Sequence, residues 1–318
     1  MSADAARQLK SLQGFKVERV LSEDAFTKSV VLLGRFANGD DSGEAADLQA
    51  IVKLSKQHFP VDRVQELVNS ELSLTLDFHN DIYCKFYALA PDAFNAFTID
   101  TIYPCTDKHI AKHETKASLV VEETPELYDR AVLPYINGIP TGHIQWVYNI
   151  LEGKKEADRV LLKDTHPETG FTLLPDLKWD QTQVQNLYCI AIAHRRDIRS
   201  LRDLTAEHLP LLRNIQKLGC ETIQEKFGVG SQHVKAYLHY HPSYYHLHCH
   251  FAHTSLGSQG NGSGKDHLLA DVINNITTFG GDFYGRASLS VEVYEGTDLH
   301  THLILANEGS AAKRKLPS

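Results

Sequence analysis

The sequence predicts an α+β protein in two units, the first mainly β and the second mixing strands with longer helices. Three observations carry this expectation. Residues 1 to about 115 are dominated by short alternating apolar runs with only brief helical stretches between them. Residues 205–226 then hold a long amphipathic helical pattern. Residues 234–253 read as two strands around a turn, and the second arm carries a row of histidines.

In the first unit, VVLLGRF (30–36) is a strand candidate and LQAIVKLSKQ resumes the pattern after ANGDDSGEAAD (37–47). That acidic, glycine-containing interval reads as a solvated hairpin tip. VDRVQELVNS (61–70) sets Val61, Val64, Leu67 and Val68 at helical spacing. LSLTLDFHNDIYCKFYAL (72–89) reads as strand, turn, strand. Thr106 is placed to cap a short basic helix.

A second unit is expected from 116. ELYDRAVLPYI (126–136) resembles a helix stopped by Pro134, or a helical connector, and NGIPTGH is a turn-rich break. IQWVYNIL, EADRVLLKD and GFTLLPDLKW read as strand-like, and LYCIAIAH (187–194) as a buried strand. Thr205 is placed to cap a helix through Lys226 with Leu209, Leu212, Ile215, Leu218 and Ile223 as its buried stripe, ended by Gly228 and Gly230. VKAYLHY, the His-Pro-Ser turn at 241–243, and the histidine strand follow. A glycine-rich loop (TSLGSQGNGSGKD), a helix (HLLADVINNI) and a strand (ASLSVEV, 287–293) come next. The tail AAKRKLPS is expected to be disordered, with KRK at 313–315 a solvated tail rather than a nuclear signal.

Composition narrows the functional classes. The net charge of −8 argues against bulk binding to a nucleic-acid backbone, though a small phosphorylated ligand in a local basic pocket stays possible. Five scattered cysteines without a CxxC suggest reduced thiols in a cytosolic or nuclear protein. The N-terminus lacks the apolar core of a signal peptide, and no apolar run approaches the ~18 residues of a membrane span, so no membrane partner is expected.

Chemistry concentrates in His246, His248 and His250, separated by Leu247 and Cys249. On a strand, alternate side chains share a face. The imidazoles then line one surface while Leu247, Cys249 and Phe251 face a core. Such a row suits a metal site, a nucleophile attacking phosphorus while its neighbours bind oxygens and manage protons, or a structural cluster. Spacing alone leaves metal and nucleophile level. Arg195, Arg196, Arg199 and Arg202, interleaved with Asp197 and Asp203, read as a salt-bridged loop rather than a phosphate patch. By residue type alone, Trp146 and Trp179 read as core, Glu156 as a solvated acid, and Lys108 and Lys112 as one face of an exposed basic helix.

HLHCHFA fits the pattern His-φ-His-φ-His-φ-φ, where φ is apolar, and so resembles the histidine triad family of nucleotide hydrolases and transferases. IQWVYNIL, EADRV, LLPDLKW, HRRDIRSLRDLT, HLPLLRNI and YLHYHPSYYHLHCHF, in that order over 144–253, resemble the scavenger mRNA decapping enzymes of eukaryotes. NDIY (80–83) and YPCTDKHIAKH (103–113) look like that family's first domain. The resemblance covers most of the chain and is weak in the first 60 residues and the last 35. His241 and His253 depart from the pattern, and neither reads as catalytic. In the loop 254–266 only Lys265 is a candidate for the leaving-nucleoside side.

The resemblance implies a metal-free, cofactor-free hydrolase of the 5′ cap on short RNA fragments. It would release 7-methylguanosine monophosphate and leave a diphosphate on the other nucleoside. Its substrates would be short 5′-capped RNA or cap dinucleotide. His248 would be the nucleophile, forming a phospho-histidine. His246 and His250 would orient it, and His239 would lie at the phosphates. Trp146 would stack on the cationic methylated base, with Leu177 on the other side. Glu156 would accept from guanine's donors, Asp176 and Pro175 would contact base or ribose, and Lys178 phosphate. Ser243 and Tyr244 would lie in the matching turn. Asn80 and Tyr83 would close over the second nucleoside, and Lys108 and Lys112 would reach the phosphates. The resemblance further implies a closing domain over 1–115, a histidine-triad domain of antiparallel sheet and helices over 116–318, and a hinge near 114–125. It implies a homodimer with exchanged N-terminal segments, in the cytoplasm, the nucleus or both. A general dinucleoside polyphosphate hydrolase or nucleotidyl transferase, and a non-hydrolysing cap-binding regulator, are the alternatives.

Overall fold

A computed structural model describes residues 11–36, 48–256 and 264–314, with 307–314 as helix backbone alone. The chain divides into two units, residues 1–116 and 117–318. The first is built on a four-stranded antiparallel sheet of β1 (Phe15–Asp24), β2 (Ser29–Phe36), β3 (Gln49–Lys56) and, after the elements below, β6. Between β3 and β6 come the short helix α1 (Val64–Asn69) and a separate hairpin of β4 (Thr75–Asn80) and β5 (Tyr83–Tyr87). β6 (Phe97–Ile102) then pairs with β3, and α2 (Asp107–His113) closes the unit. Leu21, Val31, Leu33, Ile51 and Ile110 form its core. The strands and hairpin expected between 30 and 89 are present, and β1 and β6 add to them. The interval 37–47 lies outside the described residues.

The helical spacing at 61–70 is realised, but Val61, Val64 and Val68 face solvent. The β4–β5 hairpin likewise exposes Leu76, Phe78, Tyr83, Phe86 and Tyr87. At α2, the backbone N–H of Thr106 donates to His109 Nδ1 at 3.2 Å, half of a capping box, so Thr106 does start this helix.

The second unit opens with β7 (Ser118–Glu123) and α3 (Pro125–Leu127). A wide π turn over Tyr128–Val132 then leads into α4 (Leu133–Gly138). Pro134 therefore does not stop the helix. Pro134 sits in the first turn of α4, directly after the wide turn, and the helical run continues through it. Next is α5 (Gln145–Leu151), which corrects the strand reading of IQWVYNIL. Val147, Ile150 and Leu151, at i, i+3 and i+4, make one buried stripe, and that stripe outweighs the apolar alternation in the same eight residues. EADRV is likewise a single helical turn over Ala157–Arg159.

A six-stranded antiparallel sheet forms the body of this unit, in the order β13–β11–β12–β10–β9–β8. Its strands are β8 (Leu162–Lys163), β9 (Phe171–Pro175), β10 (Tyr188–Ala193), β11 (Val234–His239), β12 (His248–His253) and β13 (Asp266–Leu268), the last not expected from sequence. One face carries Phe171, Leu173, Cys189, Ala191, Leu247, Cys249 and Phe251 into the main core, together with α6 (Leu209–Phe227) and α7 (Leu269–Phe279). The opposite face packs Leu174, Ile190 and Ile192 against Val147, Ile150 and Leu151 of α5. Covered on both sides, β10 is buried at every position, as its unbroken apolar run suggested.

On α6, Leu212, Ile215 and Ile223 are buried and Leu209 and Leu218 half-buried against the core. Gly228 closes it at φ 71°. The chain continues through α8 (Phe283–Arg286), β14 (Leu289–Tyr294) and α9 (Asp298–Arg314). β14 pairs residue for residue with β7, so half of the segment expected as a hinge, 114–125, is ladder within the second unit. The tail expected to be disordered is helical to Arg314, and 315–318 lie outside the described residues. Among the described residues, no helix is long and apolar enough to cross a membrane.

Candidate active site

β12 sets His248 opposite Ile192 and His250 opposite Ile190 on β10, and His246 leads directly into the strand. Leu247, Cys249 and Phe251 enter the core as the alternation requires. The imidazoles, however, are not on an open surface: His246, His248 and His250 are all buried.

Each ring has a distinct anchor. His246 Nε2–H donates to the Ala193 carbonyl at 2.8 Å. His248 Nδ1–H donates to the His246 carbonyl, also at 2.8 Å. A carbonyl only accepts, so the proton of neutral His248 is fixed on Nδ1 and Nε2 keeps its lone pair. That Nε2 is buried and, among the described residues, has no hydrogen-bond partner. Burial, helped by His239 and His246, pushes the His248 pKa down to about 4, so the ring is neutral at pH 7. His250 is also held well below the ordinary histidine range, first by burial and then by His248 and His239. Its Nδ1 lies 3.0 Å from the Tyr188 hydroxyl, and Tyr188 and Tyr237 stack on the ring. These anchors turn the three imidazoles to different partners. Among the described residues, no three His, Cys, Asp or Glu side chains gather where one metal ion could be held.

Beside it, a cavity of about 260 Å³ opens on the α5 face of the sheet. Its wall includes Trp146, Glu156, Pro175, Asp176, Leu177, Lys178, His239, Ser243, Tyr244 and His250, ten of the residues singled out from sequence. Trp146 is 46% exposed and is therefore not core. Because Val147, Ile150 and Leu151 turn inward, its position on α5 points to the rim, where it meets Tyr244 edge-on at 4.9 Å. Trp179 is buried core, as expected, and donates to the Gln183 carbonyl. Glu156 takes a left-handed backbone at φ 55° and is ion-paired with Arg159, which also donates to the Pro175 carbonyl at 2.9 Å. The Lys178 ammonium sits 5.7 Å from the Tyr188 ring centroid.

His246 and His248 do not line this cavity directly. Tyr244 does, and its ring stacks on His248 at 4.1 Å, while His250 packs against His248 at 5.0 Å between centroids. The nucleophile candidate is therefore one layer behind the wall. Asn80, Tyr83, Lys108 and Lys112 belong to the first unit and are exposed. Sequence reasoning missed Arg159, Tyr188 and Asp266, which carry no motif of their own. Lys265, only a candidate before, is in the wall. The arginine loop is salt-bridged as expected: Arg195 meets Glu168, Asp197 and Glu207, and Arg202 is buried against Glu123.

Comparison with known proteins gives the family. Residues 10–116 match the model "Scavenger mRNA decapping enzyme (DcpS) N-terminal", and residues 145–265 match "Scavenger mRNA decapping enzyme C-term binding". The chain belongs to the scavenger mRNA decapping enzyme family. Its relatives include the m7GpppX diphosphatase of Homo sapiens, 45% identical over 267 residues, covering 83% of this chain and 77% of the relative. That of Ascaris suum is 40% identical over 288 residues, covering 90% and 92%. That of Schizosaccharomyces pombe is 33% identical over 285 residues, covering 87% and 90%. In this family member, the second family match runs from α5 to the start of β13 and so takes in the whole cavity wall.

Proposed function

We propose that this protein hydrolyses the 5′ cap of short capped RNA or of cap dinucleotide, releasing 7-methylguanosine monophosphate and a nucleoside diphosphate. The observation that carries this reading is the state of His248. It is a neutral, buried imidazole with Nδ1–H tied to the His246 carbonyl and an unpartnered Nε2, one layer behind a cavity with an exposed tryptophan and a carboxylate in its wall. In this mechanism Nε2 attacks the phosphorus next to the methylated nucleoside, and the diphosphate of the other nucleoside leaves. Water then cleaves the phospho-histidine. Lys178, Lys265 and His239 supply charge and hydrogen bonds to the phosphates. Trp146 stacks on the cationic base, and Glu156 accepts from its N–H donors.

Asn80, Tyr83, Lys108 and Lys112 enter the proposal as contacts to the second nucleoside and the phosphates, with closure about residues 114–117, ahead of the β7 ladder. A homodimer with exchanged N-terminal segments is part of the same reading, supported by the exposed apolar hairpin of the first unit. The site of action would be wherever decay leaves capped fragments, in cytoplasm, nucleus or both.

Product analysis with cap dinucleotide tests the reaction. Monophosphate is expected on the methylated side, with turnover unchanged in excess chelator. His248→Asn is expected to lower kcat by about 10³-fold or more while cap binding stays close to wild type. Residual turnover within about tenfold of wild type would reject His248 as nucleophile. Trp146→Ala or Glu156→Gln should erase the preference for methylated over unmethylated cap. Equal turnover of both caps by the wild type would reject the decapping assignment.

A further inference from the structure

We infer that Asp266 is a positioning residue that fixes the tautomer and direction of His239, an inference that rests on the proposed reading of the cavity as a phosphate site. His239 ends β11 and Asp266 begins β13, and the two are direct partners in the antiparallel ladder. Asp266 Oδ1 lies 2.7 Å from His239 Nδ1, and both side chains are largely buried. An ionised carboxylate only accepts, so Nδ1 carries the proton and Nε2 is the ring atom left for the cavity that His239 lines.

The device repeats what the His246 carbonyl does for His248, with a charged acceptor in place of a neutral one. The charge matters chemically. When a phosphate group occupies the cavity, a proton taken up at Nε2 leaves an imidazolium held between two anions, carboxylate on one side and phosphate on the other. His239 then donates to a phosphate oxygen without rotating. The charged and titratable groups around it are His248 and His250 on β12, Tyr237 on β11, Tyr188 on β10, and Lys178 and Lys265 in the wall. Glu156 and Asp176 add carboxylates to the same wall, and Asp266 is the carboxylate bonded to the His239 ring.

Two measurements on the full-length protein test the assignment. The first is ¹⁵N NMR of the histidine rings without substrate, with His239 identified by its loss in His239→Gln. The wild type should show Nδ1–H. Asp266→Asn, whose amide oxygen can still accept, should keep it, and Asp266→Ala should give a mixture of tautomers. The second is turnover of cap dinucleotide. In Asp266→Ala, kcat/KM should fall by about 10-fold or more, with much of the loss in KM, and Asp266→Asn should fall between it and wild type. An unchanged His239 signal in Asp266→Ala overturns the inference, as does kcat/KM within about twofold of wild type. If the wild type does not cleave cap dinucleotide, the decapping reading fails, while the ring spectra still decide whether Asp266 fixes His239.

Discussion

A buried neutral imidazole is costly to protonate, and in this protein that cost makes the fold sensitive to acid. His246, His248 and His250 are all shifted below the ordinary histidine value, burial being the first cause in each. For His248 the folded value is about 4 against 6.5. Between these values the unfolded chain binds a proton that the native ring refuses. Its contribution is therefore complete above about 6.5 and is lost as pH falls toward 4. A shift of this size corresponds to a loss on the order of 3 kcal/mol from His248 alone. The urea midpoint should accordingly drop clearly between pH 7.5 and pH 4.5 with little change in m-value. A midpoint that stays level over this range would mean that the rings are not buried in their neutral form.

At the scale of elements, the site depends on how tightly β12 is held against α6. Gly219 on α6 faces Phe251, which sits beside His250 on the strand. A Cβ at 219 would lie 2.4 Å from Phe251 Cζ, and the ring is fully buried and cannot swing away cheaply. Alanine improves helix propensity by about 1 kcal/mol, but overpacking a closed core typically costs about 1–3 kcal/mol. Gly219→Ala should therefore be net destabilising, by about 1 kcal/mol in urea unfolding, and should lower cap turnover through displaced β12. A more stable variant would show that the helix can step back from the strand.

This element also marks the limit of sequence reading. The buried stripe of α6 and the inward Leu247, Cys249 and Phe251 were legible, because period 3.6 and period 2 are written in residue type. IQWVYNIL was not, since its eight residues satisfy both periods and only the sheet face they cover decides. β13 was hidden for another reason: three residues after a glycine-rich loop carry too little pattern. With it was hidden the pairing of Asp266 with His239, which depends on a register between strands far apart in sequence. The roles proposed for Trp146 and Glu156 rest on family resemblance and not on their own chemistry. The structure adds that both are at the cavity wall.

At the scale of the whole molecule, the first unit has apolar side chains exposed on its hairpin. The β4–β5 hairpin is a two-stranded sheet of its own, and such hairpins are marginal in water without a covering surface. Ile82 is 80% exposed, Tyr83 70%, Tyr87 63%, and Leu76 and Phe78 56% each. Val61, Val64 and Val68 of the nearby sequence are open as well. Exposed apolar positions grouped in this way usually mark an interaction surface. A second copy is the partner that the family resemblance supplies, and a long hairpin is a suitable element to exchange. Light scattering at micromolar concentration should therefore give twice the mass of one chain. Leu76→Glu combined with Phe86→Glu places charge on both strands of the hairpin and should shift the mass toward one chain. The second unit has its own core, so its secondary structure should persist in that variant while cap turnover falls. A wild type that runs as a monomer at all concentrations would leave the hairpin to a different partner and remove the exchanged dimer from the proposal.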